Sequence, residues 1–165
     1  MSTIATPMTG VMTHEKPRLD RLAKPGAAKS TLECLIVSAD RGRRELLSRA
    51  AAENGWSTVV CADANTARNM ADRIAVKLAI VDMEQPSPAE SGGLRELSAE
   101  LSRAGGPLLV LCGADGNVQQ EIWARQLGTW FYLAGMADLE TMELLCGEAR
   151  QVVEKTSYQR ALPMI

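Results

Sequence analysis

A chain of 165 residues with 46% hydrophobic and 23% charged composition is one soluble globular domain with a real core, too short for two of ordinary size. Lys16, Arg18, Arg21, Lys24 and Lys29 against Glu15 and Asp20 give residues 1–30 a charge of +3 (five minus two), which leaves −5 for the remainder of a chain whose net charge is −2. That mildly acidic body lacks the concentrated cationic face that nucleic acid requires, and the basic tail is too dilute to supply one.

Residues 1–30 mix Pro7, Pro17, Pro25, Gly10 and Gly26 with scattered charge and no sustained period. They read as a disordered basic extension with a short helical turn around Leu19–Ala23. From Thr31 the pattern changes to apolar strands alternating with amphipathic helices. The first strand is Glu33–Ser38, and a helix follows from about Arg41 to Asn54, stopped by Gly55. Trp56–Ala62 is the second strand, and its helix carries Ala67, Met70, Ala71 and Ile74 on one stripe. The third strand, Val76–Asp82, leads through a loop containing Pro and Ser into a helix with Leu94, Leu97 and Leu101 on one face. Leu108–Cys112 is the fourth strand, Asn117–Leu127 its helix, ended by Gly128, and Trp130–Ala134 the fifth strand. Asp138 caps a last helix through about Lys155, with Leu139, Met142, Leu145, Cys146, Ala149 and Val152 as its buried stripe. Five such units with right-handed crossovers predict a flavodoxin-like, doubly wound α/β domain: a five-stranded parallel sheet of order 2-1-3-4-5 with helices on both faces. The domain is expected over 31–155, and a short tail over 156–165.

Chemistry in such a fold sits at the carboxyl ends of the strands. Asp82 closes the apolar run Leu78-Ala79-Ile80-Val81 and is followed four positions later by Pro86. This stretch resembles the phosphoacceptor strand of the receiver domains of response regulators (CheY-like), and the resemblance extends over roughly residues 31–155. It implies that Asp82 is the phosphoacceptor equivalent. It also implies that the remaining site positions have degenerated. Where receivers carry an acidic pair for Mg²⁺, Ser38 and Ala39 stand, with Asp40 one position late; a hydroxyl and a methyl cannot supply the charge a hard cation needs. Glu84 falls where a receiver offers a backbone carbonyl to the metal. Cys112 replaces the Ser or Thr at the end of the fourth strand, and a thiol is a weak donor. Gly135-Met136 replaces Lys-Pro, removing an ammonium. The loop after Pro86 reads as about two residues longer than usual, with Gly92 and Gly93 displaced behind Ser87-Pro88-Ala89-Glu90-Ser91. Tyr132 aligns with the aromatic that couples phosphorylation to the surface in receivers; the plainer alternative is a strand aromatic packed on the last helix. Asp82 has a plain alternative too, a strand-terminal carboxylate bonded to loop amides.

Other constellations carry less. Cys34, Cys61, Cys112 and Cys146 lie far apart within apolar patterns and read as buried reduced thiols. The one histidine, His14, lies in the tail, so the body has no histidine base, and Ser91-Gly92-Gly93 has no partners for a nucleophile. Gly105-Gly106-Pro107 precedes a strand, where a phosphate loop would follow one. Arg41, Arg43 and Arg44 read as a solvated helix start. No apolar run is long enough to span a bilayer, and residues 1–30 lack a secretory core, so no membrane partner is expected and the location is cytoplasmic.

The reading that follows is a non-enzymatic protein-interaction module for signalling, a pseudo-receiver with no cofactor and at most weak Mg²⁺ binding. Its partner is a histidine kinase or another signalling protein. Its working surface, also a candidate homodimer face, is the fourth helix, fifth strand and fifth helix, with Trp123, Trp130 and Tyr132 as candidate interface residues. Two alternatives stand beside it. One is a phosphoacceptor in a two-component phosphorelay using Asp82, and the other an unrelated flavodoxin-like ligand-binding protein. Because residues 1–30 have no apolar period, deleting them is expected to leave the thermal unfolding midpoint nearly unchanged by circular dichroism; a large loss would show that they pack on the body.

Overall fold

The computed structural model describes residues 31–135 and 138–163. The N-terminal extension, the expected turn at Leu19–Ala23, and Met136 lie outside these residues. The chain alternates strictly: β1 (Glu33–Val37), α1 (Arg41–Glu53), β2 (Ser57–Cys61), α2 (Ala64–Ala71), β3 (Val76–Asp82), α3 (Pro88–Leu101), β4 (Leu108–Gly113), α4 (Val118–Leu127), β5 (Phe131–Ala134) and α5 (Leu139–Ala161). All strands are parallel, in the order β2-β1-β3-β4-β5.

Strand alternation divides the core in two. Cys34 and Ile36 of β1 and Leu78 and Ile80 of β3 point to the side covered by α1 and α5, where Leu47, Ala50, Met142 and Ala149 meet them. Leu35, Val37, Ala79 and Val81 point to the other side, against Ala67, Leu94, Leu97 and Ala124 of α2, α3 and α4. These central strands are buried on both faces, hence their unbroken apolar runs. On the first side, polar clamps reinforce the packing of α1 on α5. Trp56 Nε1 donates to the Cys146 carbonyl at 3.0 Å, Asn54 Nδ2 to the Glu143 carbonyl at 3.0 Å, and Arg150 Nη1 to the Asn54 carbonyl at 2.9 Å.

Helix starts follow the side chains able to cap them. Asp40, Asp63, Asn117 and Asp138 each accept from a backbone amide three residues on. Ser87 and Glu90 form a reciprocal capping box, with Pro88 in the first helical position. This corrects the expected long loop: Ser87-Pro88-Ala89-Glu90-Ser91 is the cap and first turn of α3, and Gly92 and Gly93 lie inside the helix. Other bounds shift as well. Helix α2 stops at Ala71, leaving Ile74 beyond it, and Ser38, Trp56, Ala62 and Trp130 lie just outside their strands while Gly113 joins β4. Helix α5 continues six residues past Lys155 to Ala161, so most of the expected tail is helical, and it buries Val153 where Val152 was expected. The four cysteines are free and buried. No described helix is long and apolar enough to cross a membrane.

Candidate functional site

The strand register brings the site together. Asp82 pairs with Cys112, and Val37, one residue before Ser38, pairs with Val81. Ser38, Asp82 and Cys112 therefore continue the same pleat positions as Ile36, Ile80 and Val110, at the carboxyl edge of the sheet under the start of α1. Asp82 has a side chain only 5% exposed and accepts three hydrogen bonds. Ser38 Oγ donates to Oδ2 at 2.7 Å, Arg43 Nε donates to the same oxygen at 2.6 Å, and the Glu84 amide donates to Oδ1 at 3.1 Å. Arg43 also places Nη1 2.5 Å from Glu84 Oε2. That contact is an ion pair without hydrogen-bond alignment, since Glu84 Oε2 and Arg43 Nη2 are both buried with no hydrogen-bond partner. Burial opposes the charge on Arg43, but its hydrogen bond to Asp82 and the charges of Asp82 and Glu84 prevail and hold its pKa above the ordinary value.

Arg43 is the residue that sequence reasoning missed. A solvated face was expected for Arg41, Arg43 and Arg44, and only Arg41 has one, with 85% of its side chain exposed. Arg44 Nη1 donates to the carbonyls of Ser38 at 2.7 Å and Ala39 at 3.0 Å, and Arg43 enters the site. A signal was present: the first turn of α1 carries no acidic residue and is crowded with arginines, at the helix end whose dipole disfavours cations. Such a turn needs anions from elsewhere, and Asp82 and Glu84 are those anions. Asp40 does not swing inward. It is exposed at the N-cap of α1, where Oδ1 accepts from the Arg43 amide at 2.8 Å.

An open cleft of about 310 Å³ lies above these groups, lined by Ala39, Asp40, Arg43, Asp82, Glu84 and Pro86. Its donor set does not suit Mg²⁺. Ser38 and Ala39 are neutral, and the guanidinium of Arg43 already lies against the two nearest buried carboxylates, where a second cation would be repelled. Among the described residues no cluster of three or more His, Cys, Asp or Glu side chains could hold a metal ion.

Cys112 is fully buried, and burial first, then the Asp82 charge, pushes its thiol up to about 12. Gly135 takes φ +85°, a conformation that disfavours side chains, and its amide donates to the Gly113 carbonyl at 3.0 Å.

A second network joins the site to β5. Gln120 of α4, only 7% exposed, donates from Nε2 to the Met83 carbonyl at 3.2 Å, and its Oε1 accepts from the Ala114 amide at 3.0 Å and the Tyr132 hydroxyl at 3.2 Å. Tyr132 thus packs on the α2–α3–α4 side, not on the last helix, because its pleat position is opposite to that of Leu133. Gly113 makes this possible, since a Cβ there would collide with the Tyr132 hydroxyl and Gln120 Oε1. Trp123 is partly buried with the Arg95 guanidinium 4.5 Å over its ring, and Trp130 is partly buried on the α1–α5 side. The large apolar side chains exposed around α4 and β5 are Val118, Ile122 and Phe131.

No family model and no curated protein matches the sequence. Solved structures do match. The chemotaxis response regulator CheY4 of Vibrio cholerae superposes with a TM-score of 0.61 at 15% identity, over 72% of this chain and 98% of that one. The receiver domain of NtrX from Brucella abortus gives 0.61 at 19% identity, over 72% and 98%. The signal receiver domain of an HD domain-containing protein from Pseudomonas fluorescens Pf-5 gives 0.66 at 18% identity, over 84% and 99%. The fold is that of CheY-like receiver domains. At these identities the likeness is one of fold, and the chemistry rests on the side chains described above.

Two substitutions test the receiver-fold site. Arg43→Met leaves the Asp82 carboxylate buried without its counter-charge and is expected to cost about 3 kcal/mol or more of unfolding free energy by urea titration. Gly113→Ala is expected to cost about 1–3 kcal/mol and to displace Tyr132 outward, read as a changed near-ultraviolet circular dichroism spectrum.

Proposed function

We propose that the chain is a receiver-fold signalling module that acts by binding another protein, with Asp82 held in a standing ion pair and not used as a phosphoacceptor. The observation that carries this reading is the Arg43 Nε to Asp82 Oδ2 contact at 2.6 Å. Oδ2 already accepts from two donors and Oδ1 from one, so three of the four lone-pair positions that could attack a phosphoryl group are engaged. Transfer would also set about two negative charges beside Glu84, with a glycine where a lysine would neutralise them and no carboxylate pair to hold a cation. Each missing electrostatic element costs on the order of 10²–10³ in rate.

Function then lies on the surface around α4 and β5, where Val118, Ile122 and Phe131 are exposed and the Tyr132–Gln120 contact holds the edge strand to the helix. The partner that fits is another signalling protein with a complementary apolar patch. The module itself is non-enzymatic.

Incubation with acetyl phosphate or a phosphoramidate, followed by borohydride trapping and mass spectrometry, is expected to leave Asp82 unmodified, and Asp82→Asn is expected to preserve partner capture. Stoichiometric acyl phosphate on Asp82 would overturn the reading and make the chain a phosphorelay receiver.

A further inference from the structure

Helix α5 has two faces, and only one is used. Met142, Leu145, Cys146, Ala149 and Val153 are buried against the sheet and α1. On the opposite side, Leu144, Glu148, Gln151, Lys155, Tyr158 and Leu162 follow one another at alternating steps of four and three, the spacing of a coiled-coil seam, and all six are exposed. Leu144 is 68% exposed, Tyr158 69% and Leu162, the residue that ends the helix, 51%. The stripe is about 27 Å long at 1.5 Å per residue.

Its composition is complementary to itself when reversed. Side by side in the same direction, two copies would set Glu148 on Glu148 and Lys155 on Lys155. Antiparallel about a two-fold axis near position 153, Leu144 meets Leu162 of the other copy, Glu148 meets the Tyr158 hydroxyl, and Gln151 meets Lys155, one turn from Glu148. Glu53, Glu140 and Glu143 line a shallow cleft shared with Leu144, Glu148 and Gln151, so the first half of the stripe is acidic, whereas Lys155 is the charged residue of its second half. Reversal turns Lys155 of each copy toward the acidic half of the other.

We infer that the outer stripe of α5 pairs two copies of this chain as an antiparallel, isologous helix pair. A closed two-fold contact of this kind buries both apolar ends of the stripe at once, and the polar layers between them set its direction and register. The pairing does not involve Asp82, Arg43 or the α4–β5 surface. Its failure would therefore leave the reading of the acidic site standing.

Sedimentation of the full chain over a wide concentration range tests it. A dimer is expected, weakened about tenfold or more by Glu148→Lys or by Lys155→Glu alone and restored when both changes are made in one chain. Leu144→Cys with Leu162→Cys is expected to give disulfide-linked dimers under mild oxidation, while Leu144→Cys alone gives none; the four native thiols are buried and leave a low background. These positions are exposed, so circular dichroism should show unchanged folding. A monomer at every concentration would overturn the inference. So would a dimer indifferent to both charge changes, or one abolished by Phe131→Asp.

Discussion

A carboxylate held at the end of a buried parallel strand must be compensated where it stands, and this requirement organises the carboxyl edge of the sheet. Moving an ion of that size out of water costs several kcal/mol even after relaxation, so Asp82 persists as a charged group only with donors around it. The pairing of β1 with β3 puts the Ser38 hydroxyl on Oδ2, and the turn after β3 brings the Glu84 amide onto Oδ1. The remaining charge is met by Arg43. Its direction is set by Asp40, which caps α1 and so fixes the rotation of the first turn over the strand ends. The end of β1 and the start of α1 are thereby tied to the end of β3, 44 and 39 residues further on, by one hydroxyl and one ion pair.

Much of the fold was legible because one pattern accounts for several features together. The strand Val76–Asp82 ends where its apolar run ends, and the residues that stop α1 and α4, Gly55 and Gly128, both take positive φ. The two-sided burial of β1 and β3 explains why their sequences do not alternate with polar residues. Misreadings arose where a strong local signal was weighed against a weaker general one. Pro88, Gly92 and Gly93 read as a loop, yet Ser87 and Glu90 stand at capping-box spacing and Pro is favoured in a first turn. The end of α5 was placed too early because every described residue after Val153 is exposed, and a burial pattern cannot follow helical turns that bury no side chain.

The site was half legible for a different reason. Asp82, Ser38 and Cys112 lie at strand ends, and strand pairing converts their sequence positions directly into neighbours. Arg43 and Gln120 sit on helices, and what they touch depends on helix rotation and on partners 39 and 37 residues away in the chain. Gly113 is informative only once those partners are placed. In isolation it is a strand glycine, and beside Tyr132 and Gln120 it is the space that the aromatic ring requires.

The two polar networks bear on whether such a domain switches. A switch needs two packings separated by only a few kcal/mol, so that a ligand or modification can move the balance. Here the ion pair fixes the start of α1 to the end of β3, and Gln120 fixes the end of β3 to Ala114 and Tyr132. Breaking a buried ion pair by removing one partner costs about 3–5 kcal/mol, and a modification of Asp82 would have to overcome a penalty of that order before it biased any other contact. The Tyr132 hydroxyl has its acceptor already, and Gly113 leaves room for the ring in that position. Both networks favour the same single arrangement. On the proposed reading, a domain so constrained presents a constant surface, and information enters through which partner is present and at what concentration.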